Sequence, residues 1–391
     1  MDRASTPPPV GAGEARPRRR PSAARRTLEP MFAAADVRLD GPRPWDIRVH
    51  DDAMFDRVLA QGTLGAGESY MDGQWSCDRL DELAFRLIRS DLAGQLHPLS
   101  MLLHHLRARL LNLQTERRAW RVGRAHYDLG NDFYAAMLDR RMTYTCAFWR
   151  DADTLDQAQE HKLDLVCRKL MLKPGLRVLD IGCGWGSFMQ FAAERHGVHC
   201  VGVTVSAEQA QLARQRCAGL PVEVRLADYR TLDEPFDRVV SLGMFEHVGQ
   251  KNHARFMEVA RRCLHPWGLA LLHTIGRNER GHGTDPWIHT YVFPNGELPT
   301  IAQIGGACER RFVVEDLHNF GADYDRTLMC WNDNVDAAWP RFADRLDERF
   351  HRLWRYYLLT CAGAFRARDI QLWQWVLSPP GRPGVYPRLA H

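Results

Sequence analysis

The chain has 391 residues, of which 45% are hydrophobic and 26% charged, with a formal net charge of +4. This places it among ordinary globular proteins, with room for two domains or one large domain and an appendage, and no apolar run approaches the ~20 residues of a membrane-spanning helix. Its ten cysteines are scattered singly, with no C-x-x-C pair and no Cys/His cluster at zinc spacing. Neither a disulfide framework nor a metal site is expected, and a reduced cytoplasmic setting fits.

The first stretch, "MDRASTPPPVGAGEARPRRRPSAARRTLEP", is rich in Pro and Arg and lacks the apolar segment of a secretory signal. Residues 1–29 are read as a disordered basic tail. Residues 30–122 follow as a smaller, mainly helical N-terminal domain. Within "HPLSMLLHHLRARLLNLQTERRAWRVGR", Leu102, Leu103, Leu106, Leu110 and Leu113 recur at helical spacing, interleaved with Arg107, Arg109, Arg117, Arg118 and Arg121. Such a basic amphipathic helix either packs on a neighbouring domain or docks on anionic lipid headgroups.

Residues 123–391 form the second domain. From Arg177, strand-like "RVLDIG", "HCVGVTV", "VEVRL", "DRVVSLG" and "GLALLHT" alternate with helix-like "WGSFMQFAAERHG", "SAEQAQLARQRC" and "NHARFMEVARRCL". Right-handed crossovers need a helix between parallel strands, so this alternation predicts an α/β fold with a doubly wound parallel sheet. Ligands of such sheets lie beyond the carboxyl ends of the strands.

At the first of those ends stands "RVLDIGCGWGSF". A strand, a glycine turn and a helix leave backbone N–H groups pointing at whatever lies beyond the strand. A dinucleotide site would read G-x-G-x-x-G/A with an acidic residue about 20 positions on. Here Gly182, Gly184 and Gly186 give G-x-G-x-G, Ser187 stands at the third dinucleotide position, and the second strand ends on Thr204 and Ser206 without a carboxylate. No G-x-x-x-x-G-K-[ST] motif occurs either. Asp180 within the first strand end and Asp228 after the third complete the pattern of an S-adenosylmethionine site, in which the later carboxylate accepts from the adenine amino group. The expected sheet is therefore the Rossmann-like sheet of a class I methyltransferase.

The blocks "HYDLGNDFYAAMLDRRMTYTCAFW", "VLDIGCGWG", "GVTVSAEQ", "GMFEHVG", "LLHTIG", "WIHTYVFPNGELP", "HNFGADYDRTL" and "CAGAFRARDIQLWQ" occur in order between about Trp45 and Trp375. In this series the chain resembles the cyclopropane-fatty-acyl-phospholipid synthase family, which is related to the mycolic acid cyclopropane synthases. The similarity of "GESYMDGQW" and "LLNLQTERRAW" points to the phospholipid synthases. The resemblance implies transfer of the S-adenosylmethionine methyl to a cis double bond of a phospholipid acyl chain, then loss of a proton and closure of a cyclopropane ring. An alkene is a weak nucleophile, so methylation creates a carbocation that needs an apolar, water-poor pocket and a base at short range.

The resemblance supplies that base as bound bicarbonate. It implies that the Cys146 backbone N–H and the Ile275 backbone contact the ion, that Glu246 accepts from its hydroxyl, and that His273 and Tyr324 donate to its oxygens. Each residue has a structural reading in isolation, His273 as a core histidine and Cys146 as a small buried hydrophobe. For the donor, the resemblance places Tyr144 and Thr145 near the methionine end, Gly182 and Gly184 beneath it, Thr204 and Gln209 at the ribose, and Asp228 and Tyr229 at the adenine. Thr145 and Ser187 stand where the family usually carries Ser and Gly, both small changes.

"DPWIHTYVFPNGELP" and "RLWRYYLLTCAGAFRARDIQLWQWVLS" are expected to supply the acyl pocket and its lid, with core packing an equal explanation for many of their side chains. Arg366 and Arg368 serve either phosphate headgroups or salt bridges. The expected partners are an unsaturated phospholipid and a second copy of the chain, with no nucleic acid. The enzyme would be cytoplasmic and peripherally bound to the inner face of the membrane.

Overall fold

A computed structural model describes residues 22–92, 130–279 and 284–387. The Ser22 hydroxyl accepts from the Arg25 N–H at 3.1 Å and caps helix α1 (Ala23–Ala34). This helix overlaps the stretch read as a tail: a side-chain cap satisfies an amide of its first turn, and Leu28 and Phe32 bury its apolar face. Helices α2 (Ala53–Gln61), α3 (Thr63–Met71) and α4 (Leu80–Arg89) and the short pair β1 (Arg48–Val49) and β2 (Trp75–Ser76) complete this N-terminal part. Its core of Leu28, Phe55, Trp75 and Leu80 also takes in Leu359 from a helix near the C-terminus. The basic amphipathic helix and the expected boundary at 122/123 lie outside the described residues.

Helix α5 (Asn131–Met137) and α6 (Leu155–Lys169) precede the sheet, α6 opening on a capping box between Thr154 and Gln157. Then follow β3 (Arg177–Ile181), α7 (Ser187–His196), β4 (His199–Thr204), α8 (Ala207–Arg216), β5 (Val222–Leu226), β6 (Phe236–Leu242), α9 (His253–Arg262) and β7 (Leu264–Arg277). The chain continues through α10 (Pro286–Tyr291), α11 (Ile301–Cys308), β8 (Val313–Asn319), α12 (Ala322–Ala338), α13 (Glu348–Arg366) and β9 (Ile370–Ser378).

Among the described residues the main sheet has seven strands in the order β5-β4-β3-β6-β7-β9-β8. The five strands read from the sequence are parallel, as expected. Strand β9 inserts antiparallel between β7 and β8. The segment "IQLWQWVLS", expected in the acyl pocket, is this strand, and Trp373 and Trp375 belong to the core beneath the sheet. A strand buried along nearly its whole length reads as continuous apolar sequence, which periodicity cannot tell from pocket lining.

Strand order reverses at β3, whose register pairs Asp180 with Gly202 on one side and Val240 on the other. This is the switch point at which doubly wound sheets bind ligands. No helix among the described residues is long and apolar enough to cross a membrane.

Candidate active site

A continuous cavity of about 960 Å³ starts at this switch point. It runs from Asp180, Gly182 and Asp228 past Glu246 and Tyr324, and ends among Val58, Leu83 and Leu87 of the N-terminal helices. Trp287 and Ile288 on α10, Phe293 just after it, and Tyr356, Tyr357 and Phe365 on α13 line its apolar stretch, as the two aromatic segments led one to expect.

The glycine turn works differently from the simplest expectation. Gly182 and Gly184 have φ of +88° and +53°, a region open chiefly to glycine. The N–H groups of Gly182 and Cys183, however, both donate to Val203 O at 3.0 Å, so they tie β3 to β4 rather than face a ligand. Gly182 instead lets the backbone pack closely on Met244: a Cβ there would lie 2.7 Å from Met244 Cβ. Gly186 does not line the cavity at all. A Cβ there would meet Cys217 Sγ at 3.1 Å and Ala213 Cβ at 3.3 Å, so its role is the close packing of α7 on α8.

The other donor-side residues converge on the cavity. Thr204 Oγ1 pairs with Gln209 Oε1 at 3.0 Å, and the Ser206 hydroxyl caps α8 by accepting from the Gln209 N–H. All three are buried cavity-lining residues. Asp228 is held by a two-point ion pair with Arg230, at 2.9 Å to Nε and 2.6 Å to Nη2, and Tyr229 packs on Phe256 beside it. Tyr144 shares a hydrogen bond with Tyr357 at 3.0 Å, linking the donor side to α13. Asp180 is buried with Oδ1 unpartnered, and burial raises its carboxyl to about 7.

The residues expected around a base gather where β6 and β7 end. Glu246 Oε1 accepts from the Ile275 N–H at 2.7 Å, which commits that amide within the protein, while Oε2 is buried and unpartnered. Desolvation raises the Glu246 carboxyl to about 7. Tyr324, on the first turn of α12, lines the same part of the cavity, and burial pushes its phenol well above its ordinary range. Cys146 and His273 lie behind the cavity wall, both essentially fully buried. The Cys146 thiol donates to Ala147 O at 3.2 Å and burial keeps it protonated, so any ligand role falls to its backbone. His273 Nδ1 meets the Gln374 side-chain nitrogen at 3.3 Å; with that nitrogen donating, Nε2 carries the proton of the neutral ring. Burial holds the ring neutral, and Nε2 has no partner.

Several contributors escaped the sequence reading. Gln374 reaches His273 across the β7–β9 pairing, a contact that only the sheet order creates. Gln159 and Lys162 are fully buried behind the Thr143–Cys146 segment. Their spacing places them on the apolar stripe of α6 with Leu155, Ala158 and Val166, which was a readable signal. Arg366 takes the salt-bridge option: its Nε and Nη2 each meet Asp325 at 2.9 Å and its Nη1 meets Asp81 at 2.8 Å. The Arg368 carbonyl accepts from the Asn278 and Gln371 side-chain amides.

A Rossmann-like sheet with this strand order, an acidic residue and a glycine turn at the switch point, and a large cavity leading away from them define a class I S-adenosylmethionine-dependent methyltransferase. Residues 114–375 match the family model for mycolic acid cyclopropane synthetase, and the chain belongs to that family. It is 54% identical over 354 residues to the cyclopropane-fatty-acyl-phospholipid synthase of Escherichia coli K12, covering 90% of this chain and 93% of that one. It is 35% identical over 372 residues to the tuberculostearic acid methyltransferase of Mycobacterium tuberculosis, covering 88% and 85%. A crystal structure of a mycolic acid cyclopropane synthase complexed with SAH and CTAB superimposes with a TM-score of 0.62 at 35% identity, over 66% of this chain and 97% of that one.

Proposed function

We propose that the chain methylates a cis double bond of a phospholipid acyl chain and closes the added carbon into a cyclopropane ring, with bound bicarbonate as the base. The observation that carries this reading is the cavity itself. One end is lined by Asp180, Gly182 and Asp228, the other by apolar side chains, and Glu246, a buried acid with an unpartnered oxygen, stands between them. The 54% identity to the E. coli phospholipid synthase supports a phospholipid acyl chain as substrate.

Asp180, the Gly182–Gly184 backbone, the Thr204–Gln209 pair and Asp228 would hold S-adenosylmethionine, which supplies an electrophilic methyl group when bound. The buried Asp180 oxygen suits the donor's ammonium. The apolar channel holds the acyl chain, each buried methylene contributing ~0.8 kcal/mol. Methylation of one alkene carbon leaves the positive charge on its neighbour. Loss of a proton from the new methyl frees the electron pair that closes the ring.

The base site suits an anion with one O–H. Neutral His273 Nε2–H and the neutral Tyr324 phenol are donors, and Glu246 Oε2 is an acceptor. His273 Nε2 and Glu246 Oε2 are otherwise orphaned in the core, where an unpaired polar atom costs ~1–3 kcal/mol. Bicarbonate would satisfy both. Since the Ile275 N–H is spent on Glu246, that residue acts through Glu246 rather than on the ion by its amide. We further propose that residues 30–122 form a membrane-facing domain, that the protein binds the cytoplasmic face of the membrane peripherally, and that it acts as a homodimer.

A second reading keeps the methyl transfer and yields a methyl-branched chain, and the 35% identity to the tuberculostearic acid methyltransferase supports it. One experiment separates the two. The purified protein is incubated with S-adenosylmethionine and vesicles of cis-monounsaturated phospholipid, with and without bicarbonate, and the acyl chains are examined by mass spectrometry and proton NMR. High-field ring signals with a gain of one methylene, diminished without bicarbonate, are expected. The same mass gain without ring signals would establish the branched product instead.

A further inference from the structure

Helix α6 sends two polar side chains into the core on one face. The Gln159 amide donates to the carbonyls of Thr143 at 3.3 Å and Thr145 at 2.8 Å, and Lys162 Nζ donates to Thr145 Oγ1 at 2.8 Å. From the other side, Gly243 makes room for Thr145: a Cβ there would lie 2.6 Å from the Thr145 Cγ2 methyl. Thr145 is thus fixed through its carbonyl, its hydroxyl and its methyl. The same short segment carries Tyr144 on the donor side and Cys146 on the base side.

Lys162 also lines the cavity together with Asp180. Two carboxylates act on it electrostatically, Asp139 and Asp180. Asp139 is already served by the Arg141 and Thr143 backbone N–H groups, at 2.9 and 2.7 Å. Asp180 receives no such amides, and its Oδ1 is unpartnered. A fully buried ammonium whose hydrogen-bond partner is one hydroxyl is an expensive way to fill space, because desolvating it costs far more than a hydroxyl returns. A methionine of similar length would fill the same space without burying an ammonium, but it would take the positive charge away from Asp139 and Asp180.

We propose that Lys162 is a positioning residue for the methyl donor: it locks Thr145 against the donor site and, lining the same end of the cavity as Asp180, places a positive charge where that carboxylate would receive the donor's ammonium. Burial lowers the Lys162 ammonium to about 8 and raises the Asp180 carboxyl to about 7, each opposed by attraction to the other.

The test is calorimetric titration with S-adenosylhomocysteine, together with urea denaturation, on the full chain and on Lys162→Met, Thr145→Val and the double variant. Lys162→Met should bind at least tenfold more weakly, a larger loss than any change in its stability accounts for. Thr145→Val, isosteric but without the hydroxyl, should also bind more weakly, and Thr145→Ser, which keeps the hydroxyl, should bind more tightly than Thr145→Val. The double variant should lose less than the product of the two single losses, since part of the lysine's effect passes through Thr145. Lower stability with unchanged affinity in Lys162→Met would overturn the proposal, as would strictly multiplicative losses. If Lys162→Met yields no soluble protein, parental affinity in Thr145→Val would overturn it and weakened binding would support it.

Discussion

Glu246→Gln should make the ligand-free protein more stable at pH 8 while leaving it little changed at pH 5. Burial raises the Glu246 carboxyl from 4.5 to about 7, even though the Ile275 N–H at 2.7 Å favours its ionised form. An acid whose folded pKa lies above its unfolded value stabilises the fold fully below about pH 4.5, and that contribution is lost as pH rises through about 7. The displacement corresponds to on the order of 3 kcal/mol between the two limits. Glutamine keeps an acceptor for the Ile275 N–H and cannot ionise, so it escapes the loss. Urea denaturation followed by tryptophan fluorescence, in bicarbonate-free buffers at pH 5 and pH 8, gives the stability difference between variant and parent at each pH. The other raised carboxyls, Asp139, Asp180 and Asp323, are common to both proteins and cancel in that difference. A difference that is the same at both values would refute the view that the site holds its acid against desolvation. The same substitution should abolish most ring formation while S-adenosylhomocysteine affinity changes little, because the donor turn is untouched.

Gln374→Leu removes the group facing His273 Nδ1 at 3.3 Å, and should lower ring formation at least tenfold with donor affinity preserved; parallel losses in both would show that Gln374 merely packs. Gly276→Ala would set a methyl 2.0 Å from the Trp373 ring and 2.7 Å from Pro299 O, so overpacking should cost ~1–3 kcal/mol, read as a lower denaturation midpoint. If the basic segment from His97 to Arg124 docks on anionic lipid, raising salt from 0.05 to about 0.5 M should sharply weaken co-sedimentation with anionic vesicles. Salt-independent binding would leave that segment a packing role.

The glycine turn and the five parallel strands were legible because their signals are local. Three glycines after an apolar run, and strands spaced by helices, constrain the backbone within about thirty residues of themselves. Glu246 and Ile275 were legible only through a resemblance: 29 positions separate them, and their 2.7 Å hydrogen bond exists because β6 and β7 pair in parallel. Gly186 shows the opposite limit. It shares the motif of Gly182 and Gly184, yet it packs on Cys217, since successive glycines of a tight turn face different sides.

By itself the sequence determined the five parallel strands, the helices between them and the glycine turn after the first strand, because hydrophobic periodicity and glycine's φ range act over a few residues. Tertiary structure alone decided that "IQLWQWVLS" is a strand rather than pocket lining, that Arg366 binds Asp325 and Asp81 rather than a headgroup, and that Lys162 serves Thr145. Those outcomes depend on burial and on partners distant in the chain. Desolvation penalises an unpaired charge wherever folding happens to place it, and only the assembled core sets which partner is within reach.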